Sequence, residues 1–190
     1  MKKLLMLAVM LTGVLWAASP VAADKEVHIV DRGDTLYNIA KDYGISAYQL
    51  MELNDKQSSM IYPGERLELP VTLNESQIDL LSRLVEAEAK GESYAGKVAV
   101  ATVVLNRVES DLFPDTLRQV IYQDYQFTPV SNGQIYQPAS QQSEAAVYEA
   151  LAYQGYDNNS LFFYNPDKAS SAYLAAKEVT VVIGDHVFLR

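Results

Sequence analysis

The chain has no cysteine. That excludes disulfides, thiolate nucleophiles and cysteine metal sites, so an exported form must hold its core without covalent staples. There is one tryptophan, Trp16, and there are two histidines, His28 and His186. The histidines fall in segments that read as strands of different units, which argues against a histidine metal centre or triad. No metal and no cofactor are expected. Positive charge is scarce: 15 Lys and Arg stand against 24 Asp and Glu, a net charge of −9. An acidic chain has no general electrostatic pull toward nucleic acid or anionic lipid. Long apolar runs are confined to Leu4–Ala17, which follows the basic start Met1-Lys2-Lys3 and is short for a bilayer span. Ser19-Pro20 and the small-residue stretch Val21-Ala22-Ala23 come next. This is the pattern of a secretory signal peptide over residues 1–23, with Asp24 the expected mature N-terminus. Its removal takes away Lys2 and Lys3 and no acid, leaving 13 basic against 24 acidic residues, a net charge of −11. The expectation is an exported protein with no stable membrane span after signal cleavage.

The whole chain is 49% apolar, enough for a small module and a compact domain. Residues 25–70 read as a βααβ unit. Val27–Val30 forms a strand and Asp31-Arg32-Gly33-Asp34 a turn. Thr35 caps a helix with Leu36, Ile39 and Ala40 on one face, closed by Gly44. Ser46 caps a second helix carrying Leu50, Met51 and Leu53. Pro63-Gly64 turns the chain into the strand Arg66–Leu69.

This segment resembles a LysM module. The carriers are Val27–Val30, Gly33-Asp34-Thr35-Leu36, Ile39-Ala40, Ile45, Leu53-Asn54 and Ile61-Tyr62-Pro63-Gly64-Glu65-Arg66-Leu67. The resemblance implies binding of N-acetylglucosamine-containing glycans in a groove between two loops. It maps onto Gly33, Asp34, Thr35 and Leu36 on one side and Met60, Ile61 and Tyr62 on the other. Loop amides can bond acetamide groups while apolar side chains cover sugar faces. Thr35 could equally be only a cap, and Ile61 only core.

Residues 71–77 form a linker without a Gly/Ser-rich or Pro-rich run, so the two units should sit close together. Ser76 can cap a helix in which Ile78, Leu81, Leu84, Val85 and Glu88 share one face. Gly91 stops it. Tyr94–Glu109 follows, apolar around most of its circumference, and should be the buried centre of the domain. A shorter helix is expected from Pro114 to Tyr122, then a polar and aromatic loop over residues 123–138, and a helix from Ser140. Leu161–Tyr164 reads as a strand. Val179–Ile183 and His186–Leu189 form a hairpin around Gly184-Asp185.

Three carboxylates crowd the end of the first of these helices. Glu86 lies on the polar side, where it can pair with Lys90 at i+4, and reads as solvated surface. Glu92 follows Gly91, where an acid suits the start of the next helix. Glu88 extends the Leu81/Leu84/Val85 stripe. Burial raises a carboxyl pKa, and a carboxyl still protonated near neutrality can protonate a leaving oxygen. Helix geometry leaves a second reading open, a partly buried Glu bonded to backbone or to an arginine.

Glu88-Ala89-Lys90-Gly91-Glu92, Ala95–Ala101 and Val103–Val108 resemble the catalytic domain of the spore cortex-lytic enzymes, the SleB/CwlJ cell-wall hydrolase family. The likeness continues through Phe113-Pro114, Phe127–Val130, Asn132–Gln134, Phe163–Pro166 and Ile183–Phe188. It implies an α+β protein: the βααβ LysM module at residues 25–70, then a mainly helical lysozyme- or lytic-transglycosylase-like domain at 78–190 with a small antiparallel sheet. It also implies cleavage of the MurNAc–GlcNAc bond of peptidoglycan, with the family's catalytic acid falling on Glu88 and the second Glu of its motif on Glu92. The chain departs from the pattern in having Glu86-Ala87 before the acid, Lys90 for an arginine, and Ala172-Tyr173 where a tryptophan is common.

Glycosidases ordinarily need two carboxylates, and only one is well motivated here. That favours a lytic transglycosylase forming 1,6-anhydro-MurNAc ends over a muramidase-type hydrolase using water. A catalytically inactive wall-binding scaffold is the rival from another class. Thr128, Asn132, Gln134, Tyr164 and Asn165, with Glu92, are the residues expected either to contact sugar or to brace those that do. Asn106-Arg107 reads as an internal polar network. Peptidoglycan glycan strands are the expected partner, and the cell wall, or the cortex or coat of a spore, the expected location.

Overall fold

The computed structural model describes residues 26–157 and 159–190, so the signal-peptide reading lies outside the described residues. The chain order is β1 (Val27–Ile29), α1 (Leu36–Tyr43), α2 (Ala47–Leu53), β2 (Arg66–Glu68), α3 (Glu75–Glu88), α4 (Tyr94–Glu109), α5 (Leu117–Ile121), α6 (Thr128–Asn132), a 3-10 turn (Gln134–Tyr136), α7 (Gln141–Tyr153), β3 (Phe162–Tyr164), α8 (Ala172–Ala175), β4 (Val179–Ile183) and β5 (His186–Leu189).

The first unit is the expected βααβ arrangement. Strands β1 and β2 pair antiparallel, with Val27 opposite Glu68 and Ile29 opposite Arg66. Thr35 and Ser46 cap α1 and α2 by accepting from the Asn38 and Gln49 amides. Leu36, Ile39, Leu50 and Leu67 fill its core. That core also takes in Ala152 of α7, so the second unit closes it.

The second unit is built around α4. Val100, Ala101, Val103 and Val104 are fully buried between α3, α5, α7 and the sheet. Each of these valines contributes about 1.5–3 kcal/mol by leaving water. Beside it lies a three-stranded antiparallel sheet in the order β3-β5-β4, with Phe163 opposite Phe188 and Val182 opposite Val187. The units dock through α7. Lys41 Nζ lies 3.0 Å from Glu149 Oε2, Ser46 Oγ donates to Gln154 O, and Thr72 Oγ1 donates to Gly44 O.

Three local expectations need correction. Helix α3 is capped by Asn74, not Ser76: the Asn74 side chain accepts from the Gln77 amide, and Gln77 reaches back to the Asn74 N–H. This reciprocal pair satisfies two otherwise orphaned donors. The helix expected from Pro114 begins only after Thr116, whose hydroxyl caps it. The loop of residues 123–138 contains α6 and the 3-10 turn, the former entered through Pro129, whose fixed φ suits a first turn.

Candidate active site

Glu88 is the last residue of α3. The helix buries Leu81, Leu84 and Val85 completely, and the same face carries Glu88 into the protein. Desolvation pushes its carboxyl up to about 7, while the Arg107 charge and the backbone amide of Thr128 pull the other way without cancelling it. Its Oε1 is buried and has no hydrogen-bond partner. The site therefore holds an acid that is about half protonated at neutral pH, with an oxygen unsatisfied by the protein.

Arg107 of α4 is the opposing charge. Its Nε donates to Leu161 O at 2.8 Å and Nη1 to Gln126 Oε1 at 3.3 Å. The guanidinium sits over the rings of Phe113, Phe127 and Phe162, 4.9, 5.2 and 5.8 Å from their centroids. Burial lowers its pKa to about 10, with the nearby Glu88 holding it up, so it stays charged at neutral pH. The expected polar network is present: neighbouring Asn106 donates to Asp157 Oδ2 and Ser160 O. The arginine and backbone neighbours that the second reading of Glu88 allows are Arg107 and Thr128.

Glu86 corrects the surface reading. It does not pair with Lys90. Its Oε2 accepts from Ser143 Oγ and Lys97 Nζ at 2.5 and 3.2 Å, and from the hydroxyl and amide of Ser140. The Ser140 and Ser143 hydroxyls, then Lys97, hold it down to about 2 against its burial. Lys97 is only 5% exposed. The cluster ties α3 to α4 and to the N-terminus of α7.

Glu92 precedes the α4 cap, Ser93, and turns to the β4–β5 hairpin. Its Oε1 lies 3.2 Å from His186 Nδ1, near enough for attraction but without hydrogen-bond alignment. The His186 ring stands edge-on to Phe163, 5.5 Å away. Gly184, at φ +57°, gives the carboxylate room, since a Cβ there would fall 2.5 Å from Glu92 Oε2. Gly184→Ala is accordingly expected to destabilise the protein by ~1–2 kcal/mol. Gly33→Ala, also at positive φ but in open space, should show the backbone strain alone. Urea unfolding of both variants measures the difference.

The structure places Thr128 at the start of α6, where its amide meets Glu88. Asn132 and Gln134 are exposed on the following turn, where Asn132 Oδ1 accepts from the Gln134 amide at 3.0 Å. Tyr164 is half-buried in β3 opposite Val187. Asn165 is buried, its Oδ1 accepting from the Asp167 amide while Nδ2 has no partner. Thr128 is thus brought to Glu88, whereas Asn132, Asn165 and Glu92 make their own local contacts.

In the first unit, Gly64 N–H donates to Val30 O and Val30 N–H to Glu65 O, which sets the two expected glycan loops side by side. The Asp31 amide, and then the His28 ring, hold the Asp34 carboxyl below its usual range. Gly33 takes φ +104° in that turn. Thr35 is a cap and Leu36 is core. Ile61 packs against the core, while Met60 and Tyr62 are exposed, with the Tyr62 hydroxyl 3.0 Å from Met60 Sδ.

Among the described residues no group of three or more His, Asp and Glu could hold a metal, and no helix is long and apolar enough to cross a membrane.

Comparison with known proteins places these features in context. The family model described as Cell Wall Hydrolase matches residues 91–189, and that described as LysM domain matches residues 28–70. The spore cortex-lytic enzyme of Oceanobacillus iheyensis is 39% identical over 124 residues, covering 64% of this chain and 44% of that protein. The chain spans less than half the length of the spore cortex-lytic enzymes it matches. The catalytic domain of the Bacillus cereus SleB protein superposes with a TM-score of 0.60 at 37% identity, covering 64% of this chain and 94% of that one. The catalytic domain of the germination-specific lytic transglycosylase SleB from Bacillus anthracis gives 0.59 at 36% identity, covering 64% and 100%. The expected mainly helical fold with a small antiparallel sheet is borne out.

Proposed function

The chain belongs to the cell wall hydrolase family, and on that premise we propose that it degrades peptidoglycan as a lytic transglycosylase. In this reading residues 25–70 bind the wall polymer, 71–77 link, and 78–190 cleave the MurNAc–GlcNAc bond. The observation that carries it is the half-buried Glu88, still protonated near neutrality and with one oxygen unpaired. The family match begins at Gly91, three residues beyond it, so the assignment of Glu88 rests on geometry and on the motif around it.

Glu88 gives its proton to the glycosidic oxygen as the C1–O bond breaks, releasing the GlcNAc hydroxyl. The resulting carboxylate takes the proton of the MurNAc O6 hydroxyl as that oxygen bonds to C1. The acid is regenerated and a 1,6-anhydro ring forms without water. Arg107 stabilises the intervening carboxylate. The other two carboxylates of the segment are placed elsewhere, Glu86 held by Ser140, Ser143 and Lys97, and Glu92 turned toward His186 and the β4–β5 hairpin. That supports one-carboxylate chemistry over the two-carboxylate hydrolytic arrangement. Spore cortex is the substrate we propose, consistent with the names of the relatives, and an exported wall or cortex location follows from it.

Muropeptide analysis tests this. The purified chain is expected to release anhydro-muramic ends from cortex peptidoglycan, and Glu88→Gln to release none. Reducing ends would replace transglycosylation with hydrolysis. No release by the unaltered chain would leave a wall-binding scaffold.

A further inference from the structure

Two clefts away from Glu88 meet on the C-terminal end of α7. One, of about 370 Å³, lies between α4, α7 and β4 and is lined by Tyr94, Val98, Ala99 and Asp157. The other, of about 420 Å³, lies where the first unit docks and is lined by Leu36, Met51 and Ser59. Tyr153 and Tyr156 line both. Glu88 lines neither.

The chemistry of this trough is that of a saccharide site. Its tyrosines are braced, Tyr153 against Tyr37 at 5.0 Å between centroids and Tyr156 against Tyr48 at 5.7 Å. Tyr153 and Tyr156 nonetheless remain about half exposed. Rigid, half-exposed rings offer apolar faces to the C–H faces of sugars and hydroxyls to their edges. The Tyr156 hydroxyl already points to Met51 Sδ at 3.3 Å. At the far end Asp157 Oδ2 is occupied by Asn106 and the Asn159 amide, but Oδ1 is shielded and has no partner. It is an unsatisfied acceptor in the wall of the cleft, reached by a hydroxyl or acetamide N–H once its shielding neighbours give way. The ionisable carboxylates of the first cleft are Glu149 and Asp157, which disfavours an anionic polymer. Ser59 directly precedes Met60 of the expected glycan loop, so the second cleft borders that groove.

We propose that Tyr153, Tyr156 and Asp157 extend the glycan site of the first unit onto the second, so that a neutral β-1,4-linked N-acetylhexosamine strand is held by both units at once. This rests on reading residues 28–70 as a glycan-binding module. A strand long enough to leave the loops enters the trough, and a short one does not.

Calorimetric titration of the full chain with N-acetylglucosamine trimer and hexamer tests it. Ala99→Phe fills the cleft on α4 away from the first unit. Tyr156→Ala removes a shared ring, and Tyr156→Phe keeps the ring without its hydroxyl. Ala99→Phe and Tyr156→Ala should each weaken hexamer binding about fivefold, with trimer binding unchanged and Tyr156→Phe near wild type. Equal losses for both lengths would mean loosened docking of the units and would overturn the proposal. Unchanged hexamer binding in both Ala99→Phe and Tyr156→Ala would overturn it too. A Met60→Ala/Tyr62→Ala double variant separates the premise. If that variant alone loses both ligands, the module reading stands and the trough falls. If the unaltered chain binds neither ligand, the premise fails and the trough with it.

Discussion

Glu88→Gln is expected to cut turnover severely and, at pH 8, to make the protein more stable. The catalytic loss should be about 10²–10⁴-fold, the usual contribution of a general acid. The stability gain follows from the carboxyl's surroundings. Its folded-state pKa is raised from 4.5 to about 7 by desolvation. A raised pKa means that this group's favourable contribution is complete below its unfolded value and is lost as pH rises through 7. Full deprotonation therefore removes about 3 kcal/mol, at 1.36 kcal/mol per pKa unit. Glutamine is neutral at every pH and escapes that loss. Urea midpoints at pH 4 and pH 8 should converge between wild type and variant at the low value and separate at the high one, with the variant ahead. The same ionisation shapes catalysis: the acid must be protonated in the free enzyme, so kcat/KM should fall about tenfold per pH unit above 7. A variant no more stable than wild type at pH 8 would mean that Glu88 is solvated, and the argument for it as a proton donor would go with it.

The inward placement of Glu88 was legible, and two independent signals point to that residue. The Ile78/Leu81/Leu84/Val85 stripe has helical period, and the flanking residues carry a family likeness. Its neighbour was not legible. Glu86 has Lys90 one turn away, and local pairing makes it a surface residue. Its actual partners, Lys97, Ser140 and Ser143, are 11, 54 and 57 residues distant. Tertiary packing chose among acceptable local arrangements, and periodicity has no access to that choice. The only trace was Lys97 itself, a charge in a helix apolar on nearly every side. The tyrosine trough escaped for the same reason, since Tyr37, Tyr48, Tyr94, Tyr153 and Tyr156 come from separated elements. The α3 cap is a different case. Asn74 and Gln77 form a capping box readable from sequence, but Ser76 stood nearer the first apolar position. The linker expected at residues 71–77 is shorter, since α3 begins at Glu75, but the closeness of the two units follows from a connection without Gly/Ser-rich or Pro-rich slack.

The Glu86 cluster carries the largest expected effect on stability. Glu86→Ala should cost about 3–5 kcal/mol, because it leaves the nearly inaccessible Lys97 charged and without its ion partner. It also removes the acceptor for the Ser140 and Ser143 hydroxyls, and Ser140 is the cap of α7. Guanidinium unfolding at pH 7 measures this directly. The pH dependence identifies the mechanism. Glu86 has a folded-state pKa lowered to about 2, so its contribution is present above its unfolded value near 4.5 and is lost as pH falls toward 2. Wild type should weaken across that window, and the gap between it and Glu86→Ala should narrow. Adding Lys97→Met to Glu86→Ala removes the stranded charge while keeping an apolar stem. The double variant should recover most of the loss, as buried ion pairs often exchange for apolar side chains at little net change. If Glu86→Ala alone costs under about 1 kcal/mol, the value usual for an exposed pair, the cluster does not hold α3 in place. If it costs the full amount, the same contacts fix the helix turn from which Glu88 projects. Residual activity in the rescued double variant then reports how much of the acid's placement depends on that anchor: a fall in kcat with KM unchanged would locate the effect in the position of Glu88 rather than in glycan binding.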